Sequence, residues 1–151
     1  MSSRLLRVTA RRRVGASRER VFRAFTEPGR LARWFSPGPE IGTEVLALDL
    51  RKGGAYRLRF RMPGGEAPVV TGRYLEIEPP ARLVFTWTWE APDPHAGTET
   101  RVTVELVRRG EGTEVTVTHD AFPDEPTRAR HEDGWRGTLA RLESTLAKED
   151  P

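Results

Sequence analysis

The apolar residues near the C-terminus recur with the period of a helix, and this feature limits the fold most strongly. Four of them follow one another at spacings of four, three and four: Trp135, Leu139, Leu142 and Leu146. This spacing places them on one face of a helix of roughly six turns that begins near Pro126. A long helix with one apolar face needs an apolar surface to cover it, and a sheet can supply that surface.

Alternating apolar and polar residues predict the sheet. In residues 56–62 the apolar side chains alternate with three arginines, as in a strand with one buried face and one face in water. Similar patterns predict strands at residues 5–14, 45–51, 69–77, 83–89, 102–106 and 115–119. Because short turns rich in glycine or proline join several of them, we expect an antiparallel sheet of six to seven strands. The predicted class is α+β.

Two short helices are predicted after the first strand. Ser17 is a suitable N-cap for the first helix, and Pro28 with Gly29 separates it from the second. Apolar residues at helical spacing mark the two helices: Val21, Phe22 and Phe25, then Leu31, Trp34 and Phe35. No internal repeat, linker or low-complexity tract interrupts the chain, so we expect residues 1–151 to form one domain.

Composition excludes several classes of function. The chain has no cysteine, which excludes disulfides, thiolate metal sites and cysteine nucleophiles and favours a cytoplasmic location. No apolar run approaches the roughly 20 residues of a membrane span, and residues 1–13 lack the apolar core of a secretory signal. The net charge is +3, but acidic residues are interspersed among the basic ones, so no nucleic-acid partner is predicted.

Three histidines and a few carboxylates are the candidates for catalysis. The histidines lack metal-ligand spacing, so neither a metal nor another cofactor is predicted. His119 continues the alternation of its strand and points inward, either as a polar group of a cavity or as a structural histidine with satisfied hydrogen bonds. His131 lies four residues before Trp135, where it either faces the interior or lies at the helix edge. If Asp49, Glu76 or His119 converged in a cavity, they could act as acid and base.

Two glycines lie inside the predicted long helix, where glycine is unfavourable, so the presence of each requires an explanation. Gly134 and Gly137 each cost about 0.5–1 kcal/mol relative to alanine. One explanation is a close approach of the helix to the sheet, and the other is room left for a molecule beneath the helix.

Four segments resemble a known family. Residues 72–87 read GRYLEIEPPARLVFTW, and residues 21–35, 49–54 and 134–142 add further matches in the expected order. The segments resemble AHSA-type proteins, which are homologues of the activator of the heat-shock-protein-ninety ATPase within the START-like SRPBCC superfamily. The resemblance implies a helix-grip fold, in which a curved sheet wraps the long helix, often with an apolar cavity between them.

The aromatic residues predict that cavity independently. Four tryptophans in so small a domain are hard to pack without gaps, because protein interiors approach crystal density. The predicted ligand-binding residues are Trp34, Phe35, Tyr56, Phe60, Phe85, Trp87, Trp89, His119, Phe122, His131, Trp135 and Leu139.

The predicted function is binding of a small apolar or amphipathic molecule between the sheet and the C-terminal helix, by a monomer or a homodimer. One alternative is a co-chaperone or protein-interaction domain of the heat-shock ATPase-activator type, with a chaperone as its partner in the stress response. Another is a cofactor-free cyclase or hydrolase. A shared fold does not decide among these functions.

Overall fold

The computed structural model describes residues 6–149, and the order of elements matches the predicted order. The elements are β1 (Leu6–Val14), α1 (Arg18–Thr26), α2 (Pro28–Trp34), β2 (Gly42–Leu48), β3 (Ala55–Arg61), β4 (Val69–Glu78), β5 (Arg82–Trp89), β6 (Thr100–Arg109), β7 (Gly112–Phe122) and α3 (Glu125–Lys148). The predicted α+β class is confirmed.

One antiparallel sheet contains all the strands of the described residues, in the order β1-β7-β6-β5-β4-β3-β2. Strands β2 to β7 therefore form a meander, and β1 joins it beside β7. The sheet is curved around α3, which lies against β1 and β7 and also contacts α2. This arrangement confirms the predicted helix-grip fold.

Helix α3 is positioned at both of its ends. The Asp124 carboxylate caps the first turn by accepting a hydrogen bond of 2.9 Å from the backbone N–H of Thr127. At the other end, the carboxylate of Glu149 forms ion pairs of 3.4–3.7 Å with arginines of α1 and α2: Arg20, Arg30 and Arg33. The predicted apolar face of α3 is buried as expected, and the buried face extends N-terminally through His131 to Thr127.

Strand β2 begins and ends three residues before the predicted strand. Residues 49–54 form a tight turn instead, in which Asp49 N–H donates to the Ala55 carbonyl and Gly54 N–H donates to the Arg51 carbonyl. At the start of the strand, the Thr43 hydroxyl donates to the Phe35 carbonyl at 2.6 Å. This tertiary contact holds the first residues of β2 in the sheet, and no local sequence pattern predicts it.

The interior beneath α1 and α2 is filled by side chains. Trp34 packs edge-on against Phe25 with ring centroids 4.8 Å apart, and Tyr56 packs against Phe85 at 5.5 Å. Only about 20 Å³ remains between these elements. A larger open space lies beneath the N-terminal half of α3.

Within residues 6–149, none of the helices is both long enough and apolar enough to cross a membrane.

Candidate functional site

A cavity of about 320 Å³ lies between the N-terminal half of α3 and the inner face of β3 and β5. Its size is at the lower end of the range for small-molecule sites, about 300–1,000 Å³. Most of its wall is apolar or aromatic. The lining residues are Phe35, Pro37, Ile41, Phe60, Met62, Pro68, Trp87, Trp89, Arg130, His131, Asp133, Gly134, Trp135 and Thr138.

The two glycines of α3 have different roles in forming this space. A Cβ atom placed on Gly134, which lines the cavity, would meet nothing within 4 Å. A Cβ atom on Gly137 would collide with the backbone carbonyl oxygen of Pro37, in the segment that follows α2. Close approach therefore explains Gly137, although to that segment and not to the sheet. Open space explains Gly134.

Two buried histidines accept hydrogen bonds from two tryptophans beside the cavity. Trp135 Nε1–H donates to His119 Nδ1 at 3.0 Å, and Trp89 Nε1–H donates to His131 Nε2 at 2.9 Å. Because an indole can only donate, each accepting nitrogen must carry a lone pair. Each imidazole is therefore neutral, with its proton on the other nitrogen.

The second nitrogen of each histidine is also bonded. His119 Nε2–H donates to the Thr100 hydroxyl at 2.6 Å, and that hydroxyl donates to the Trp87 carbonyl at 2.9 Å. His131 Nδ1–H donates to the Thr127 carbonyl at 2.8 Å. All four imidazole nitrogens thus have partners, and protonating either ring would break a bond to a tryptophan.

Burial favours the neutral form of both histidines. His119 is fully buried and His131 is 6% exposed. Desolvation lowers the pKa of His131 to about 4, although its hydrogen bond to Thr127 opposes the shift. Desolvation and the neighbouring His131 hold the pKa of His119 well below its ordinary value. Neither histidine is a base poised for catalysis at neutral pH.

A third indole, that of Trp87, stands between these two pairs. Its ring centroid is 5.6 Å from that of His119 and 5.9 Å from that of Trp135. The side chain is 6% exposed, and its Nε1–H has no acceptor among the described residues. A buried donor without a partner is unusual in a folded protein.

The wall of the cavity includes one cation and one anion. The guanidinium of Arg130 lies 4.7 Å from the ring centroid of Trp89 and forms two hydrogen bonds, of 2.8 and 2.9 Å, with the carboxylate of Asp93. Burial raises the pKa of Asp93, but the bonds from Arg130 and from the His95 backbone N–H outweigh it and hold that pKa below its ordinary value. The positive charge of Arg130 is therefore largely compensated by the Asp93 carboxylate. The Asp133 carboxylate, by contrast, is exposed.

Half of the predicted ligand-binding residues line this cavity: Phe35, Phe60, Trp87, Trp89, His131 and Trp135. The remaining predicted residues lie elsewhere in the interior. Tyr56 and Phe85 belong to the filled region beneath α1 and α2, and Trp34 donates its indole N–H to the Ala24 carbonyl at 2.9 Å. His119 lies behind Trp135 and packs on Phe122, with ring centroids 4.4 Å apart.

Leu139 also lies away from the cavity. It is buried near β1, beside Thr9 and Ala10, because the helix turns its side chain toward that strand. His131, by contrast, faces the cavity and does not lie at the helix edge. His119 is not among the residues that line this cavity, and both of its ring nitrogens are hydrogen-bonded, as expected of a structural histidine.

Several residues that line the cavity are absent from the predicted ligand-binding residues. Met62 continues the alternation of Phe60 and could have been found from that pattern, and Arg130 lies one helical turn before Gly134. The loop residues Pro37 and Pro68 reach the cavity only through the tertiary fold, so no sequence signal marks them.

The residues proposed for a cyclase or hydrolase do not converge. Asp49 pairs with Arg51 at 2.7 Å at an exposed position, and Glu76 pairs with Arg82 at 3.4 Å at a half-buried one; neither carboxylate lines the cavity. His119 is sealed in the interior. Across residues 6–149, no group of three histidine and carboxylate side chains is placed to hold a metal ion.

Comparisons with known proteins agree with this architecture. The family model described as "Activator of Hsp90 ATPase homolog 1-like protein" matches residues 15–147. No curated protein matches the sequence.

Solved bacterial structures are similar over nearly the whole chain. Protein CV1439 of Chromobacterium violaceum is 29% identical, with a TM-score of 0.83 over 95% of this chain and 98% of that one. Mll3558 of Rhizobium loti is 30% identical, with a TM-score of 0.75 over 95% and 99%. The protein SPO3351 of Silicibacter pomeroyi is 22% identical, and its TM-score of 0.84 over 96% and 100% shows the same fold. The chain therefore belongs to the activator of Hsp90 ATPase homolog 1-like family, the AHSA-type proteins of the START-like SRPBCC superfamily.

Proposed function

We propose that this protein binds a small apolar or amphipathic molecule in the cavity beneath Gly134, as a cytoplasmic protein. The observation that carries the proposal is an aromatic-lined space of about 320 Å³ that a helix covers with backbone instead of a side chain. Family and fold support a ligand-binding or interaction domain in general. Each Å² of apolar surface that the ligand buries would contribute about 25 cal/mol.

The charges of the wall disfavour an acidic ligand. Arg130 is occupied by the Asp93 carboxylate, so it offers little to an acidic ligand. Asp133 would repel one. A neutral molecule with a mostly apolar body avoids both costs.

Filling the cavity from the helix should abolish binding. In the Gly134→Leu variant the new side chain would enter open space and occupy the volume that the ligand needs. We expect the affinity for the neutral fluorescent probe N-phenyl-1-naphthylamine to fall at least about tenfold, which corresponds to about 1.4 kcal/mol. A fluorescence titration measures this change directly.

The matched control is Arg136→Leu, which places the same side chain two residues away on the outer face of α3, where the arginine side chain is 70% exposed. This variant should bind the probe as the wild type does. Native mass spectrometry of freshly purified protein would show whether a small molecule accompanies the wild type but not Gly134→Leu. Equal probe affinity in wild type and folded Gly134→Leu would contradict the proposal.

A second candidate is a protein-interaction domain that acts on a chaperone, and the description of the matching family favours it. Among residues 6–149 the exposed large apolar side chains are Leu50 in the turn after β2, Leu75 in β4 and Val107 in β6, and their separation along the fold does not favour a common docking patch. Measuring the ATPase rate of an Hsp90 chaperone with and without this protein tests the chaperone role. We expect no acceleration, and a severalfold acceleration that Gly134→Leu retains would favour the chaperone role.

A further inference from the structure

One carboxylate stands at the opening of the aromatic cavity. Asp133 lines the cavity and is exposed to solvent, so it lies where the cavity meets water. Among the described residues that line the cavity, Arg130 is the only other one with an ionised side chain, because burial keeps His131 neutral. The balance of charge at this opening therefore depends on Asp133 and Arg130.

The charge of Arg130 is already compensated within the protein. Its guanidinium donates two hydrogen bonds to the carboxylate of Asp93, whose side chain is only 5% exposed. The same guanidinium lies 4.7 Å from the ring centroid of Trp89. Arg130 and Asp93 together contribute no net charge, and the contact with Trp89 shows that this wall holds a cation against an aromatic ring.

The charge of Asp133 is not compensated by the protein. The nearest arginines of α3 pair with other carboxylates: Arg128 and Arg136 with Glu132, and Arg130 with Asp93. Within residues 6–149, the Asp133 side chain takes part in neither an ion pair nor a hydrogen bond. One negative charge is thus left at the mouth of a largely apolar cavity.

This arrangement favours one kind of amphipathic molecule. An apolar body gains most inside the cavity, where Phe60 and Trp135 line the open space beneath Gly134. A positive group on that body can stay at the mouth and keep part of its hydration, because Asp133 is the neighbour of Gly134 in the helix. There the carboxylate attracts it, whereas a neutral group gains nothing from this charge and an acidic group is repelled.

We propose that the cavity selects amphipathic cations, molecules with a compact apolar body and a protonated amine or quaternary ammonium group, and that Asp133 selects the charge. This inference rests on the proposed function and adds the chemical class of the ligand. An exposed ion pair changes an affinity by up to about fivefold, which corresponds to about 1 kcal/mol. The apolar body therefore supplies most of the affinity, and Asp133 supplies the preference.

Two probes with the same body test the inference. 1-Naphthylmethylamine is protonated at pH 7 and 1-naphthalenemethanol is neutral, and they differ only in the group on the methylene carbon. We expect the wild type to bind the amine about three- to fivefold more tightly than the alcohol. In Asp133→Asn, an amide of nearly the same shape replaces the carboxylate, so the preference should fall to about onefold while the affinity for the alcohol is unchanged. Isothermal titration calorimetry measures both affinities.

The matched control is Glu132→Gln, which removes the same charge from the adjacent position. Glu132 pairs with Arg128 and Arg136 and does not line the cavity, so the preference for the amine should survive. Thermal unfolding checks that both variants fold. Asp133→Asn should unfold as the wild type does, because the Asp133 side chain forms no bond within the described residues.

The outcomes separate the two proposals. Equal binding of both probes to the wild type, or a preference for the amine that persists in Asp133→Asn, overturns the inference and leaves the ligand-binding function standing. An equal loss of preference in Glu132→Gln also overturns it, because the amine then responds to the overall charge of the protein. Binding of N-phenyl-1-naphthylamine without binding of the amine overturns the inference alone. If none of the three probes binds the wild type, the proposed function fails and the inference fails with it.

Discussion

The free energy of unfolding should fall by several kcal/mol as the pH is lowered from 7 to about 4. The ordinary pKa of histidine is about 6.5, whereas burial lowers the pKa of His131 to about 4 and holds that of His119 well below its ordinary value. Below pH 6.5 the unfolded chain takes up protons on these histidines while the folded chain does not. Each histidine can therefore cost up to about 1.4 kcal/mol per pH unit, and His131 alone costs about 3 kcal/mol by pH 4.

The stability conferred by the neutral histidines is present above pH 6.5 and is lost progressively below it. The carboxylates whose pKa values lie below the ordinary ones, Glu90, Asp93, Asp124 and Glu125, act in the same direction but only near the acidic end of this window, so the fall between pH 6.5 and pH 5 belongs mainly to the histidines. Urea unfolding followed by tryptophan fluorescence at pH 7, 6, 5 and 4.5 measures the slope.

The matched variant for this experiment is His131→Gln. It cannot be protonated in this range, and its amide oxygen can still accept from Trp89. We expect it to be less stable than the wild type at pH 7 but to have a shallower pH dependence between pH 6.5 and pH 4. Unchanged stability of the wild type between pH 7 and pH 5 would show that the two imidazoles are not buried in neutral form.

Alanine at the two helix glycines should change stability in opposite directions. Gly137→Ala forces a Cβ atom against the carbonyl oxygen of Pro37, and such overpacking costs about 1–3 kcal/mol or more because backbone must move. Gly134→Ala meets nothing within 4 Å and gains up to about 1 kcal/mol from the higher helix propensity of alanine. We expect the two variants to differ by about 2–3 kcal/mol.

Thermal and urea unfolding of the two variants beside the wild type measure this difference. The pair is its own control, because the same substitution is made on one helix, three residues apart. Equal stabilisation of both variants would mean that α3 does not approach Pro37 closely, and equal destabilisation would mean that no open space lies beneath Gly134.

The long helix and the strands could be predicted because hydrophobic periodicity is a local property of the chain. Trp135 and Leu142 occur at helical spacing, and both are buried as that spacing requires. The sequence pattern predicts the end of β2 three residues too late, because the turn that ends the strand depends on hydrogen bonds from the backbone N–H groups of Asp49 and Gly54.

The candidate site was predicted less completely, because its polar contacts join residues far apart in sequence. The partners of His119 are Thr100 and Trp135, and nothing near His119 identifies them. The hydrogen bond between Trp89 and His131 likewise links β5 to α3 and explains why His131 faces inward. The sequence predicts that some aromatic residues line a cavity. It does not predict which of them pack in the filled interior instead.

Gly134 also has an evolutionary consequence. Because Gly134 lines the cavity and has no side chain to fill it, the cavity volume is sensitive to one codon. A single-base change converts a glycine codon to that of alanine or valine, and either side chain would extend into the cavity without disturbing the sheet or the bonded histidines. Chains that keep this fold can therefore diverge in the volume of this cavity through substitutions at this one position of the helix.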